Sequence, residues 1–350
     1  MSGIPESISE LYTARSIIVY YVTTASAMYF AYGLYILLFG TSIYIMHCHQ
    51  QEQGDERLDN NLYSLLTIIL FVLSTVFVVD WTIESIRGPS AVFNMFKTGS
   101  TQPMVDYYLN SPGKIVANSF NGLVPIFLNI AADYMLIHRC YVIWSSRKRV
   151  AIPLIIVSVA TNATALVGII IDLIYLARDI PESLHHIGNA LVVGSDISSA
   201  VINSLITLLT AGRMWWIHRQ VRTQAVYASD TLVGTISRII LESGIIYPVF
   251  IVLNQVVGQT STPDEAPFSL YPLAVLSAGI APTLIIVRAK LGKGIESLHS
   301  QVSEIRFTSR PAPNEGTIIR PQAQVHSIGN IRAPMENDVY VGMSKEATAV

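Results

Sequence analysis

Seven long apolar runs constrain the fold of this chain more than any other feature of its sequence. Each has about 20 residues or more, which lets a helix rising 1.5 Å per residue cross a hydrocarbon core about 30 Å thick. The ten-residue alternation of a membrane barrel strand is missing from all seven. The runs predict an all-α fold, a polytopic membrane bundle of seven transmembrane helices at residues 16–46, 62–83, 115–144, 151–176, 190–216, 232–257 and 268–287.

The composition indicates the same solvent. Charged residues make up 13% of the chain, whereas soluble domains carry about 25%. The net charge is only −2, and no basic domain stands apart to hold a nucleic acid. We therefore expect the lipid bilayer, and no nucleic acid, as a partner of a multi-pass protein in the plasma membrane.

Positive charge in the short loops predicts the orientation, because loops rich in Lys and Arg stay on the cytoplasmic side. The loops after the third, fifth and seventh spans carry such residues, namely Arg147, Lys148, Arg149, Arg213, Arg219, Arg222, Arg288, Lys290 and Lys293. The loop at 258–267 has neither Lys nor Arg and holds Asp264 and Glu265. We predict an extracellular N-terminus at 1–15, a transmembrane domain at 16–290 and a cytoplasmic C-terminus.

Three segments outside the spans carry weaker patterns. Between Pro89 and Gly99, four large apolar residues predict either a short helix in the outer interface or an irregular lid over the bundle. Apolar residues at three- and four-residue spacing predict an amphipathic juxtamembrane segment at 291–307. Residues 308–350 lack such periodicity and are rich in Pro, Ser, Asn and Gly, which predicts a disordered cytoplasmic tail.

Two polar stripes run along spans that must lie in hydrocarbon. The third span carries Asn118, Asn121, Pro125, Asn129 and Asp133 at helical spacing, and we expect it to be the central helix, because unsatisfied polar groups are costly in lipid. The stripe on the fifth span is expected to face it, with Asp196, Ser199, Asn203, Thr207 and Thr210. Helix packing alone accounts for such stripes; the alternative is a water-filled pocket lined by Asn121, Asn129 and Asn203.

Four acidic residues fall near the predicted outer face: Asp80, Glu84, Asp172 and Asp196. Together they would form an acidic vestibule that attracts a cation, an amine or a proton, since low-dielectric walls focus potential. The alternative is that they contact water or pair with Arg87, Lys114 and Arg178 at the same level.

A second group of charges lies deeper, toward the predicted inner face. Arg238 is expected to pair with Glu242 on its own helix or to reach Asp133 on the third span. An Asp133–Arg238 contact would tie the third and sixth spans together, either as a static pair or as a contact that opens on ligand binding.

The sequence offers no catalytic arrangement. No span has His residues at metal-ligand spacing, and neither a Ser-His-Asp arrangement nor a phosphate-binding loop is present. The seventh span has no Lys before Lys290, so it lacks the usual Schiff-base position for retinal. We expect no enzyme activity, no metal and no cofactor.

Four motifs give the chain a family resemblance. They are Arg-Cys-Tyr-Val-Ile-Trp at 139–144, Leu-Thr-Ala-Gly-Arg-Met-Trp-Trp at 209–216, Ile-Leu-Glu-Ser-Gly at 240–244 and Gly-Ile-Ala-Pro-Thr-Leu-Ile-Ile-Val-Arg at 279–288. From the third to the seventh span the chain resembles a large group of seven-span membrane proteins of basidiomycete fungi. The resemblance implies the architecture and no particular ligand or activity.

A broader similarity is to G-protein-coupled receptors. The chain shares their seven spans and has an Arg at the inner end of the third span, within His138-Arg139-Cys140 rather than Asp-Arg-Tyr. The seventh span has Ala281-Pro282-Thr283 in place of Asn-Pro-x-x-Tyr, and the two cysteines, Cys48 and Cys140, both lie at predicted inner positions. The similarity implies a divergent receptor whose coupling residues would be Arg139, Tyr141 and Arg213.

These patterns give one leading hypothesis and two alternatives. The leading one is a receptor or sensor that binds a small ligand from the outer side and signals through its inner loops to a G protein or another effector. Candidate pocket residues are Asn121, Asn129, Asp172, Asp196 and Asn203. The alternatives are a proton-coupled transporter that uses Glu242 and Asp133, and a non-catalytic structural membrane protein.

Overall fold

The computed structural model describes residues 14–49, 57–108, 112–177, 181–222, 241–260 and 268–304, and no strand occurs among them. The helices are α1 (Ala14–His49), α2 (Arg57–Thr98), α3 (Gln102–Tyr108), α4 (Pro112–Ile143), α5 (Lys148–Ala177), α6 (Glu182–Arg222), α7 (Ile246–Thr260) and α8 (Tyr271–Glu304). Within the described ranges, seven helical segments are long and apolar enough to cross a membrane, and all but α3 contribute one. The predicted all-α architecture with seven membrane-spanning helices is confirmed.

The outer surface of these helices is strongly apolar. Large side chains that are 60% exposed or more include Phe30 at 72%, Leu37 at 67% and Ile156 at 62%. Buried positions, in contrast, include Thr67, Ser74, Asp133, Ser199 and Asn203. Apolar faces outside and polar side chains inside are the arrangement expected of a helical bundle dissolved in lipid. The chain is therefore a multi-pass integral membrane protein.

Consecutive long helices pack side by side, and α8 contacts α1 to close the ring. α4 contacts α2, α5, α6 and α8, so it occupies an inner position, as the sequence predicts. The most enclosed membrane-spanning helix in the described ranges is α8, however. In its most apolar stretch 72% of the residues are buried, whereas the corresponding share in α4 is 33%. The reason is the small side chains of α8, since a Cβ on Gly279 would lie 2.9 Å from the Tyr35 hydroxyl and 3.0 Å from Ser74 Oγ.

α2 extends well beyond its predicted end at residue 83. It passes through Pro89 without a break and ends at Thr98, so the predicted interfacial helix or irregular lid is wrong for this segment. Pro89 leaves the Ser85 carbonyl without a helical N–H, but the Ser90 hydroxyl bonds the next carbonyl, Ile86, at 2.6 Å. The helix stops where Gly99 adopts a φ of 65° and its N–H bonds the Met95 carbonyl at 3.0 Å.

α8 also continues past its predicted span. Its backbone is helical through Glu304 without a break after Arg288, so most of the predicted amphipathic segment continues the last membrane helix. The described residues do not include the terminal segments 1–13 and 305–350, Arg238, or the side chains from residue 292 onward. The predictions of a disordered tail and of an outside N-terminus stay predictions.

α5 and α6 approach closely at two glycines. A Cβ on Gly168 of α5 would lie 2.9 Å from the Gly188 carbonyl oxygen and 2.8 Å from a Val192 methyl group. Small residues at such crossings let membrane helices pack by van der Waals contact, which replaces the hydrophobic driving force that lipid lacks.

Gly168→Ala should therefore lower the free energy of unfolding by about 1–3 kcal/mol, because the added methyl group must separate the two backbones. The matched control is Gly194→Ala, where a Cβ meets nothing within 4 Å and helix propensity favours Ala by up to about 1 kcal/mol. Denaturation by SDS in mixed micelles measures both. Equal effects of the two substitutions would contradict the close approach.

Candidate functional site

A polar cavity of about 70 Å³ lies inside the bundle, where α4, α5, α6, α7 and α8 meet. Its apolar walls include Ile126, Ile169 and Val275. Nine of its lining residues have polar side chains: Asn129, Thr161, Asn162, Ser195, Asp196, Ser199, Tyr247, Asn254 and Tyr271. An enclosed space with a few polar groups among apolar walls is the general form of a small-molecule site.

α6 supplies one wall of this cavity through its predicted stripe. Ser199, Asn203, Thr207 and Thr210 are each 3–4% exposed, so this face points into the bundle. Asn203 lies beside Asp133 of α4, and Thr210 lies beside the Cys140 thiol, also of α4. The predicted apposition of the two polar stripes is therefore present in the structure.

Asp196 and Ser199 link α6 to α7 at the cavity. The Gln255 amide donates a hydrogen bond to Asp196 Oδ2 at 3.0 Å. One turn away, the hydroxyl oxygens of Ser199 and Tyr247 lie 2.9 Å apart and share a hydrogen bond. The Asp196 carboxylate is thus held at the cavity wall by a neutral donor, and its negative charge stays available to a cation.

Among the described acidic residues, Asp133 is the most buried and is only 2% exposed. Its Oδ2 accepts a hydrogen bond from Ser158 Oγ at 2.6 Å and another from Asn162 Nδ2 at 3.3 Å, both on α5. Within the described ranges its partners are neutral. Arg238, the predicted partner, lies outside these ranges, so that contact remains a prediction, and the observed bonds join α4 to α5 rather than to the sixth span.

A smaller space of about 10 Å³ lies next to this group, lined by residues that include Asn129, Asn203 and Tyr247. Such a volume has roughly the size of one water molecule. Asp133 Oδ1 and Asn203 Oδ1 are both buried and have no hydrogen-bond partner among the described side chains. Two acceptor oxygens of this kind give the region a preference for a donor or a cation.

Asn121 sits apart from both spaces and has a different function in the fold. Pro125 has no N–H, so the Asn121 carbonyl four residues earlier loses its helical partner. The Tyr271 hydroxyl of α8 donates to this carbonyl at 3.0 Å. The proline in α4 is therefore tolerated because a neighbouring helix satisfies the freed backbone group.

The four acidic residues of the predicted vestibule have different surroundings. Glu84 pairs with Lys114 Nζ at 2.5 Å and accepts from the Tyr107 hydroxyl at 3.2 Å, which is the pairing alternative. Asp172 lies 3.2 Å from His185 Nδ1 on α6. Asp80 has one buried oxygen without a hydrogen bond and does not line the central cavity. Of the four, only Asp196 lines the central cavity.

Glu242 lies next to α8. Its carboxylate is 3.7 Å from Arg288 Nη1, and both side chains are about half exposed, at 53% and 41%. The same guanidinium donates to Ser243 Oγ at 3.4 Å. Glu242 and Asp133, the two acids of the carrier hypothesis, thus have different described partners.

The three predicted coupling residues lie near the ends of α4 and α6. The Arg213 guanidinium is 4.4 Å from the Trp216 ring centroid and 5.3 Å from that of Trp144, so it makes cation–π contacts with both. Tyr141 packs against a cluster that contains Ile137 and Cys140. Arg139 lies near Tyr63 and has no hydrogen bond or ion pair among the described residues.

Several residues in and around the cavity are not among the candidates that the sequence patterns pointed to, namely Ser158, Asn162, Tyr247, Asn254, Gln255 and Tyr271. Ser158 and Asn162 stand four residues apart in the apolar α5, and that spacing is the signal that would have identified them. Tyr247 and Tyr271 gave none, because each occurs singly in an apolar context, and the adjacent Asn254 and Gln255 show no helical spacing. Among the described residues, no group of three His, Cys, Asp or Glu side chains is placed to hold a metal ion.

Comparisons of the chain with protein-family models, with curated proteins and with solved structures found no match. The resemblance to fungal seven-span proteins and to G-protein-coupled receptors therefore stays a prediction. The geometry of the interior carries the functional argument by itself.

The bond from Ser158 to Asp133 can be tested directly. Ser158→Ala should lower the free energy of unfolding by about 1–2 kcal/mol, because a buried carboxyl group loses its shortest hydrogen bond. The control is Ser198→Ala, since Ser198 is exposed and bonds only to the Gly194 carbonyl of its own helix. SDS titration in mixed micelles measures both, and an unchanged Ser158→Ala protein would show that the bond contributes nothing to stability.

Proposed function

We propose that the protein is a non-catalytic seven-helix receptor or sensor of the plasma membrane that binds a small cation in its central cavity from the outer side. The observation that carries this proposal is a carboxylate, Asp196, on the wall of a polar cavity enclosed by five helices. A buried negative charge that faces a polar space attracts a cation far more strongly than a charge in bulk water.

The size of the cavity limits the ligand. Pockets for drug-sized ligands have volumes of about 300–1,000 Å³, whereas this cavity has about 70 Å³. A ligand that enters without a rearrangement of the helices is therefore no larger than a few water molecules. Ammonium, methylammonium and alkali-metal ions satisfy both the size and the charge.

The groups around the cavity suit such a ligand. Asp196 offers a carboxylate, Asn129 and Asn254 offer amide oxygens, and Tyr247 and Tyr271 offer hydroxyl oxygens. These residues belong to four different helices. A cation that coordinates them together favours one relative position of the helices, which is the differential interaction that a conformational response requires.

The route from cavity to output follows α4. Asn129 lines the cavity, Asp133 lies one turn further along, and Arg139 lies two turns beyond that. Asp133 contacts α5 through Ser158 and lies beside Asn203 of α6. We propose that a shift of these contacts reaches Arg139, Tyr141 and Arg213, and that a G protein or another cytoplasmic effector responds there.

The second candidate, a proton-coupled carrier, rests on one observation. Asp133 is a buried acid with neutral described partners next to a cavity, an environment common to the proton sites of transporters. The other proposed acid, Glu242, lies beside Arg288 and is half exposed. Of its two acids, the carrier hypothesis therefore depends mainly on Asp133.

Ligand-dependent stability tests the proposed site. Methylammonium chloride should raise the thermal unfolding temperature of the purified chain in phosphatidylcholine nanodiscs, because a ligand at 100 times its Kd stabilises the folded state by about 2.7 kcal/mol. N-methylglucamine chloride at equal ionic strength should not, because that cation is too large for the cavity. Asp196→Asn should abolish the shift.

The matched control is Asp172→Asn, which removes the same charge from a carboxylate outside the cavity lining and should keep the shift. Equal shifts with both cations, or equal loss in both variants, would contradict the site.

Methylammonium-dependent nucleotide exchange on a co-expressed G protein, lost in Arg139→Ala, separates a receptor from a carrier. Uptake of methylammonium into vesicles under a proton gradient would favour the carrier.

A further inference from the structure

A second space, on the outside of the bundle, combines an apolar groove with a basic end. It has a volume of about 360 Å³ and lies between α4 and α5. Its walls include Ile130, Tyr134, Ile152, Ile155 and Val159, which are 44–62% exposed. This groove lies on the lipid-facing surface and is separate from the central cavity.

The length of the groove matches one leaflet. Its α5 side runs from Lys148 to Val159, which is about 17 Å along a helix axis. Half of a hydrocarbon core about 30 Å thick is about 15 Å. A single acyl chain that starts at the interface would thus follow the groove to about the middle of the bilayer.

The basic end is built by a tight turn. Ser145 and Ser146 adopt φ angles of 54° and 58°, and their N–H groups bond the carbonyls of Val142 and Tyr141. This turn ends α4 and starts α5 beside it at Lys148. The first turn of α5 therefore lies at the mouth of the groove, and a helix N-terminus favours an anion.

The charges at this mouth have no anionic partner in the described part of the chain. Arg147, Lys148 and Arg149 are consecutive and exposed, and no described Asp or Glu side chain contacts them. Lys148 is itself part of the groove lining, together with His138 and Tyr141. The His138 ring is oriented by the Tyr63 hydroxyl, 3.0 Å from Nδ1, and by stacking on Tyr134.

Another large groove on the described surface lacks these features. It has about 480 Å³, lies between α2 and α4, and is lined by apolar side chains with Asp80 as its charged residue. Any acyl chain fits such a groove, but an anionic head group is repelled by a carboxylate. Of these two grooves, only the α4–α5 groove joins an apolar channel to positive charge.

We infer that the α4–α5 groove is a binding site for one anionic glycerophospholipid. One acyl chain lies along Ile152, Ile155 and Val159, and the phosphate lies at Lys148 with Arg147 and Arg149 nearby. Basic pockets between membrane helices select anionic head groups in this way. No residue of this groove lines the central cavity.

Native mass spectrometry of the full chain tests this inference, with phosphatidylglycerol or phosphatidylcholine titrated into the detergent-purified protein. The wild-type chain should bind one phosphatidylglycerol at least fivefold more tightly than phosphatidylcholine, and Lys148→Gln should weaken phosphatidylglycerol binding about fivefold. Lys97→Gln, which removes an exposed charge at the end of α2, should change nothing. Equal affinity for the two lipids, or equal losses in both Lys variants, would overturn the site.

A steric pair tests the groove itself. Ile152→Trp places a large ring in the α4–α5 groove and should reduce phosphatidylglycerol binding, whereas Ile83→Trp places the same ring in the α2–α4 groove and should not. Val159→Trp, at a position 62% exposed, serves as a second groove variant if Ile152→Trp unfolds. Unchanged phosphatidylglycerol binding in a folded groove variant contradicts the inference, and unfolding temperatures in phosphatidylcholine nanodiscs establish which variants fold.

Discussion

Hydrocarbon cannot hydrogen-bond, and the rest of this structure depends on that constraint. Each polar group within a span must find its partner inside the protein. One oxygen of the buried Asp133 carboxyl group, Oδ2, meets the constraint through Ser158 and Asn162 of α5. The freed Asn121 carbonyl meets it through Tyr271 of α8. Such bonds determine which helix faces turn inward, and the apolar faces that remain then contact lipid.

The same constraint produces two different kinds of surface inside one bundle. Where polar stripes from several helices meet, their partners do not fill the space completely, and a cavity with Asp196 at its wall results. In the groove between α4 and α5 the space is apolar, and its charged lining residue is Lys148 at the first turn of α5. The interior site suits a small cation, and the peripheral groove suits an amphiphilic anion. No residue lines both spaces.

Sequence periodicity predicts the helices and the two facing stripes, because residues three and four apart share a helix face whatever the neighbours are. It does not predict side-chain pairing between helices. The bond from Ser158 to Asp133 depends on the rotation of α5 about its axis, and the enclosure of α8 depends on the close approach of Tyr35 to Gly279. The extension of α2 through Pro89 was missed because proline is a strong break signal in water and a weaker one in lipid.

The central claim is our proposal that the cavity inside the apolar bundle is hydrated and opens to the outer side. Cysteine accessibility at adjacent positions of α7 tests it, in a background without Cys48 and Cys140. Asn254 lines the cavity, whereas Leu253 at the same depth is 44% exposed on the lipid face. Silver ions, which are no larger than the cations proposed for the cavity, should bind the Asn254→Cys thiolate about tenfold faster or more than the Leu253→Cys thiolate when added outside intact cells, since the reactive thiolate forms only where water is present. Equal rates, or faster modification of Leu253→Cys, would contradict the account.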